Sequence, residues 1–142
     1  MSPTDVPIGL LVSRTAKALG RAFDDVLVAA GGSTPTWLVL LALTTGEHRT
    51  QGELAEAVGV RQPTLTHHLD SMERAGFVTR EREPGNRRVQ HVVVTEAGQQ
   101  LFLRLRRAAG SFDGRLRAGL EDEEIAELRR VLAQLSENAQ PD

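Results

Sequence analysis

The sequence predicts a mostly α-helical fold with one small β-hairpin (α+β), in which a short helix and the hairpin stand side by side. Three observations carry that prediction. Between Thr50 and Ala75, two short segments with helical apolar spacing each open on a capping or proline signal and each close at a glycine. Two β-type runs, Phe77 to Glu83 and Arg88 to Val94, then flank the turn Pro84-Gly85-Asn86-Arg87. Longer stretches on both sides repeat apolar residues every three or four positions.

Each element follows from local chemistry. Leu10 to Ala30 reads as a helix, with Leu11, Leu19, Phe23, Val26 and Leu27 on one side and Gly31-Gly32 as its stop. Thr34 is the expected cap of a second helix, with Pro35 at its first position, where the missing amide costs nothing. That helix, about Pro35 to Thr44, is apolar nearly all round (Trp37, Leu38, Val39, Leu40, Leu41, Leu43), so burial at the domain centre is expected. Thr50-Gln51-Gly52-Glu53 is a capping box for a third helix, Gln51 to Val58, closed by Gly59. The fourth helix spans about Gln62 to Ala75, with Pro63 in its first turn and Gly76 as its stop. Thr95 caps a long fifth helix carrying Leu101, Phe102, Leu105, Ala108, Ala109, Phe112 and Leu116. A sixth helix starts in the acidic run Glu121 to Glu124, as the helix dipole favours, and its Ile125, Leu128, Leu132 and Leu135 form a coiled-coil-like seam.

Composition narrows the function. At 142 residues the chain can bury a core without disulfides or metal. It has no cysteine, which excludes thiol catalysis, thiol redox sensing and cysteine metal sites and fits a reducing compartment. No apolar run approaches the roughly 18 residues of a membrane helix, and Met1 to Pro7 lacks a signal pattern, so a cytoplasmic, membrane-free protein is expected. The net charge of −2 hides a gradient: Val60 to His91 holds six arginines and four acids, against acidic flanks on both sides. Arginine suits bidentate phosphate and guanine contacts. With Lys17 the one lysine, codon bias gives the same preference.

The fourth helix carries the most telling pattern. Leu65, Leu69 and Met72 form its inward stripe, while Thr64, His67, His68 and Ser71 recur at i, i+3, i+4 and i+7 on another face, extended by Gln62. All of these side chains can exchange hydrogen bonds with base edges, and none is an acid. An ordinary solvated face is the plain alternative, but such faces usually carry Glu and Lys rather than weak helix formers. A metal reading of His67 and His68 lacks support, because adjacent helical residues diverge and Asp70 faces elsewhere. His48 and His91 read as isolated surface or packing histidines. The hairpin places Arg80 and Arg82 on one face of its first strand and Arg87 and Arg88 at its tip, where guanidiniums suit a narrow minor groove. A charged, solubilising strand edge is the alternative there. Helix, turn, polar-faced helix and basic hairpin in this order are what a major-groove reader with an adjacent minor-groove contact requires. Nucleophile–base spacing, a phosphate loop and a metal signature are all missing, so no enzyme is expected. The apolar faces of the first, fifth and sixth helices exceed what the middle segment can cover, which points to a homodimer.

These residues together resemble the MarR family (multiple antibiotic resistance regulators). The resemblance runs through Thr34-Pro35-Thr36-Trp37, Glu53-Leu54-Ala55 before Val58-Gly59-Val60, Pro63-Thr64-Leu65-Thr66 with Leu69, Met72 to Val78, and Asn86-Arg87-Arg88 through Val94-Thr95-Glu96-Ala97-Gly98. It implies a winged helix-turn-helix lobe with N- and C-terminal helices forming a dimerisation domain: residues 1–32 and 96–142 for dimerisation, 33–95 for DNA. It further implies a homodimeric transcriptional regulator, a repressor or sometimes an activator, on double-stranded palindromic DNA. The DNA-facing set is then Arg61, Gln62, Thr64, Thr66, His67, His68 and Ser71 on the helix, with Arg80, Arg82, Asn86, Arg87 and Arg88 on the wing. Two departures from the family pattern stand out. Asn86 replaces the acid of the usual Asp-x-Arg wing, and Arg61 and His67 stand where a Ser cap and an Arg are common. The paired imidazoles add the expectation of pH-sensitive base contact.

Many members bind small aromatic acids, and Phe23, Trp37, Phe102 and Arg106 are the candidate lining of such a pocket, with plain core packing as the alternative. No cofactor is expected. Without cysteine the family's thiol-oxidation switch is excluded, and the zinc-sensing variants need histidines in helices where this chain has none. The alternative function is a winged-helix protein-interaction module without specific DNA binding. Steep salt dependence of duplex binding would separate the two.

Overall fold

The computed structural model describes residues 3–46 and 50–142, so His48 lies outside the described residues. Among the described residues, a 3-10 turn at Pro3–Asp5 is followed by six α-helices and one hairpin: α1 (Ile8–Ala29), α2 (Thr34–Thr45), α3 (Gln51–Val58), α4 (Gln62–Arg74), β1 (Val78–Glu83), β2 (Asn86–Val94), α5 (Glu96–Arg117) and α6 (Asp122–Asn138). The expected elements are all present, with ends shifted by one or two residues. Among the described residues, no single helix is long and apolar enough to cross a membrane.

The chain forms two compact units, Met1–Ala109 and Gly110–Asp142, and α5 carries it from one into the other. In the first unit the core takes Leu27 from α1, Val39 and Leu40 from α2, Leu54 and Ala55 from α3, and Leu65, Leu69 and Met72 from α4. Val78 and Val92 come from the hairpin and Leu101 and Leu105 from α5. The second unit holds the end of α5, where the Arg115 guanidinium lies 5.4 Å from the centre of the Phe112 ring, and α6. There Glu124 accepts from the Glu121 amide at 2.9 Å, closing the acidic first turn that the dipole favours.

Helix ends explain how the first unit is folded. α1 stops where Gly31 takes φ 101°, with Gly32 N–H donating to Leu27 and Gly31 N–H to Val28, the paired bonds of a Schellman stop. The cap of α2 is Ser33, not Thr34: its hydroxyl accepts from the Thr36 amide. The reason is tertiary. Asp24 of α1 accepts from both the Thr34 amide, at 2.8 Å, and the Thr34 hydroxyl, at 2.9 Å, so Thr34 joins two helices and its neighbour caps. Burial of α2 is also incomplete: Val39 and Leu40 are inside, whereas Leu38 remains 36% exposed. At the start of α3, Thr50 accepts from the Glu53 amide as expected, but the Glu53 carboxylate accepts from the Thr50 hydroxyl rather than from its amide.

The hairpin is antiparallel, pairing Val78 with Val94 through Arg82 with Gln90, and a register shift follows Arg82. Thr50 adds a single bridge to His91 on the outer edge of β2, tying the sheet to the start of α3.

Candidate nucleic-acid interface

The outward face of α4 forms because its inward stripe is apolar and its remaining positions are polar. Leu65, Leu69 and Met72 are buried as expected, and Arg61, Gln62, Thr64, His67 and Ser71 are exposed. Arg61 occupies the cap position with extended backbone and makes no side-chain cap. His68 is half-buried, with its ring 6.0 Å from that of His67. Among the described residues, no three His, Asp or Glu side chains converge as a metal site would require.

Two members of the helix set have further contacts within the fold. Thr66 donates its hydroxyl hydrogen to the Gln62 carbonyl at 2.9 Å and accepts a short bond from the Gln51 side-chain amide. These two bonds tie α4 to α3 through the half-buried Thr66 hydroxyl. Ser71, exposed on the same stripe, also lines a shallow groove of about 220 Å³ with Gly31, Gly32, Ser33 and Thr36, so the C-terminal end of the stripe lies beside the α1–α2 connection.

Beside α4, the wing is braced from within. Gly85 takes φ 89° at the turn, and the Asn86 side-chain oxygen accepts from the Arg88 amide at 3.2 Å. Asn86 thus shapes the tip by a hydrogen bond to main chain, where the family's acid would pair with an arginine. Arg82 reaches across the hairpin to the Arg87 carbonyl at 3.4 Å. Arg87 and Arg88 are exposed at the tip.

Arg80 departs from the expected role. Its Nη2 lies 2.6 Å from Asp70 Oδ1 and 3.0 Å from Glu73 Oε1, and the side chain is only 18% exposed. Glu73 also accepts from the Arg80 main-chain amide at 3.1 Å. The Arg80 side-chain bond, then its amide, hold the Glu73 carboxyl below its usual range. The Glu73 bond, joined by that to Asp70 and opposed by burial, raises the guanidinium above its own. Sequence alone assigned Arg80 to DNA because strand alternation shows which face a residue occupies, not what lies across from it. Asp70, Glu73 and Gln51 carry no sequence signal for these contacts, because acids and amides on exposed helical turns are ordinary.

Helix and wing meet at a cleft of about 470 Å³ whose lining includes Thr50, Gln51, Gln62, Arg82, Arg87 and Arg88. Three guanidiniums along one wall and the first turns of α3 and α4 on the other suit a phosphate backbone. His91, half-buried, sits 4.0 Å from Glu83 and bridges to Thr50.

The candidate effector residues are partly assembled. Trp37 and Phe102 stack with ring centres 5.5 Å apart and planes 13° from parallel. Both rings and Phe23 are half-buried against the core. Arg106, one turn beyond Phe102 on α5, is exposed.

Comparison with known proteins agrees with this geometry. The MarR family model matches residues 31–89. The structure is similar to that of the transcriptional regulator PA3341, at 32% identity over 93% of this chain and 97% of that one, with a TM-score of 0.75. It is also similar to the Mycobacterium tuberculosis transcriptional regulator MosR in complex with DNA, at 25% identity over 94% and 96% of the two chains, with a TM-score of 0.75. CouR from Rhodococcus jostii RHA1, bound to p-coumaroyl-CoA, shares the fold at 22% identity over 100% of this chain and 99% of that one, with a TM-score of 0.77.

Proposed function

We propose that this chain, which belongs to the MarR family, acts as a homodimeric repressor on a palindromic operator and is released by a small acid. It is a DNA-binding transcriptional regulator, a non-catalytic role. The observation that carries the finer reading is the juxtaposition of the exposed Gln62, Thr64 and His67 face with the Arg87–Arg88 wing tip. Gln62 and both tip arginines line one cleft. A helix so placed reads base edges in the major groove while the tip enters the flanking minor groove.

Dimerisation is supported by apolar surface on the terminal helices. α1 leaves Ile8 and Leu11 exposed, and α6 leaves Leu128, Val131 and Leu132 exposed at i, i+3 and i+4. Residues 1–32 and 96–142 form the proposed dimerisation part and 33–95 the DNA lobe. A two-fold pair would set two α4 helices about 34 Å apart, one turn of the duplex. The proposed place of action is the cytoplasm. For the effector, the stacked Trp37 and Phe102 offer an aromatic platform, with Phe23 proposed as further lining and Arg106, one turn beyond Phe102, as the partner of a carboxylate. That CouR, a relative in fold, is held with p-coumaroyl-CoA supports an aromatic acid or its thioester.

The test is selection of duplexes from a random pool, then binding of the best duplex measured from about 50 to 200 mM salt. Affinity falling steeply with salt, with a palindromic consensus, is expected. Binding that ignores salt would overturn the reading in favour of a protein-interaction module. A monomer at operator-saturating concentration in sedimentation would overturn the dimer.

A further inference from the structure

We infer that Arg80 is a positioning residue that fixes the angle of the wing on the recognition helix, so that Arg87 and Arg88 reach the duplex when α4 is seated. The inference rests on the DNA-binding reading above and goes beyond it in assigning a specificity role to three residues that do not touch DNA.

Asp70 and Glu73 lie three residues apart on α4, on the helix face they share with Thr66 rather than on the outward face of Thr64 and His67. One guanidinium nitrogen of Arg80 bonds both carboxylates. Glu73 also takes the amide of Arg80, a donor on the edge of β1 turned away from β2. The strand is therefore gripped by main chain and side chain at the same point, midway along the wing. Two residues on, and on the same strand face, Arg82 braces the tip through the Arg87 carbonyl. Tilt of α4 is thus passed to the tip through two consecutive arginine braces.

The electrostatics make the role testable. Two carboxylates on a lobe that approaches a polyanion oppose binding unless they do something else there. If Arg80 were a phosphate contact, neutralising its two acidic partners would free it, and the D70N/E73Q variant would bind the operator more tightly, with a steeper salt slope. If Arg80 positions the wing, the same variant loses operator affinity although two negative charges have been removed.

The experiment compares wild type, D70N/E73Q, R80A and R80K on the selected operator and on random duplex, across salt, with thermal unfolding as the folding control. The expected result is about a tenfold or greater loss of operator affinity for D70N/E73Q and R80A. Preference should blur at the base pairs flanking those read by α4, with the central ones kept. R80K keeps the charge but presents a point donor rather than a planar fork. It should fall between wild type and R80A, and it stands as the test if R80A does not fold. D70N/E73Q binding as tightly as wild type, or more tightly, overturns the positioning role and leaves the DNA-binding reading intact. Absence of salt-dependent duplex binding by the wild type overturns both.

Discussion

Thr95 donates its hydroxyl hydrogen to the Gly76 carbonyl across 2.6 Å, and the same oxygen accepts from the Gly98 amide at 3.1 Å. One side chain thereby caps α5 and closes the end of α4, where Gly76 takes φ 83° to turn the chain into β1. The Thr95 amide completes the joint by donating to Phe77 at 3.0 Å. The helix that leaves the DNA lobe is bolted to the helix that would read the operator.

Gly98 makes that joint possible by having no side chain. A Cβ there would stand 2.1 Å from the Phe77 carbonyl oxygen and 2.8 Å from a Val94 methyl. Because the first obstacle is backbone, Gly98→Ala should cost about 1–3 kcal/mol or more, read as a lower urea midpoint. An unchanged midpoint would mean that α5 can slide away from the wing base freely.

The Gln51–Thr66 bond makes a second prediction, about stability rather than recognition. Thr66→Val leaves Gln51 without its partner and should cost about 1 kcal/mol while the selected duplex consensus stays the same. A changed consensus with unchanged stability would show that Thr66 reads a base after all.

Groove and backbone contacts should separate cleanly. Arg87→Ala and Arg88→Ala are expected to weaken specific and random duplexes alike and to lower the salt slope by about one for each phosphate no longer bound. Thr64→Ala and His67→Ala should each cost roughly 1–3 kcal/mol at particular base pairs and little on random DNA. Equal losses on both duplexes from all four variants would contradict this division.

The pairing of Glu73 also has a pH signature. Its carboxyl is held below the ordinary range by Arg80, so its contribution is fully present above the unfolded carboxylate pKa, about 4.3. That contribution is lost as pH falls through the lower folded value. The stability gap between wild type and Glu73→Gln should therefore be flat from neutral pH down to about 5 and close in more acid solution. A gap that widens on acidification would mean that the carboxyl gains nothing from the arginine in the folded chain.

Much of this architecture was legible in the residues. Capping and stop signals placed α3 and α4 to within a residue or two, because such signals act within one turn of the chain. The buried stripe Leu65, Leu69 and Met72 followed from spacing alone. Part of the candidate site's placement was legible: Gln62, Thr64, His67, Ser71, Arg87 and Arg88 are exposed. The internal contacts of Thr66, Ser71 and Arg80 were not, since each involves a partner remote in sequence, Gln51, the α1–α2 connection and the acids of α4 respectively. Ser33 displaced Thr34 as the α2 cap for the same reason, through Asp24.

The residues by themselves determined which segments are helical, which form the hairpin, and which helix face is apolar, because these depend on backbone preference and periodicity a few positions apart. Tertiary structure decided how four similar arginines divide their work. The turn at Gly76 lays β1 back along α4, which brings Arg80 onto Asp70 and Glu73 and leaves Arg87 and Arg88 beyond the reach of those acids, at the open tip. Distance between side chains, which periodicity does not encode, settles which charge is spent inside the fold and which stays available to a partner.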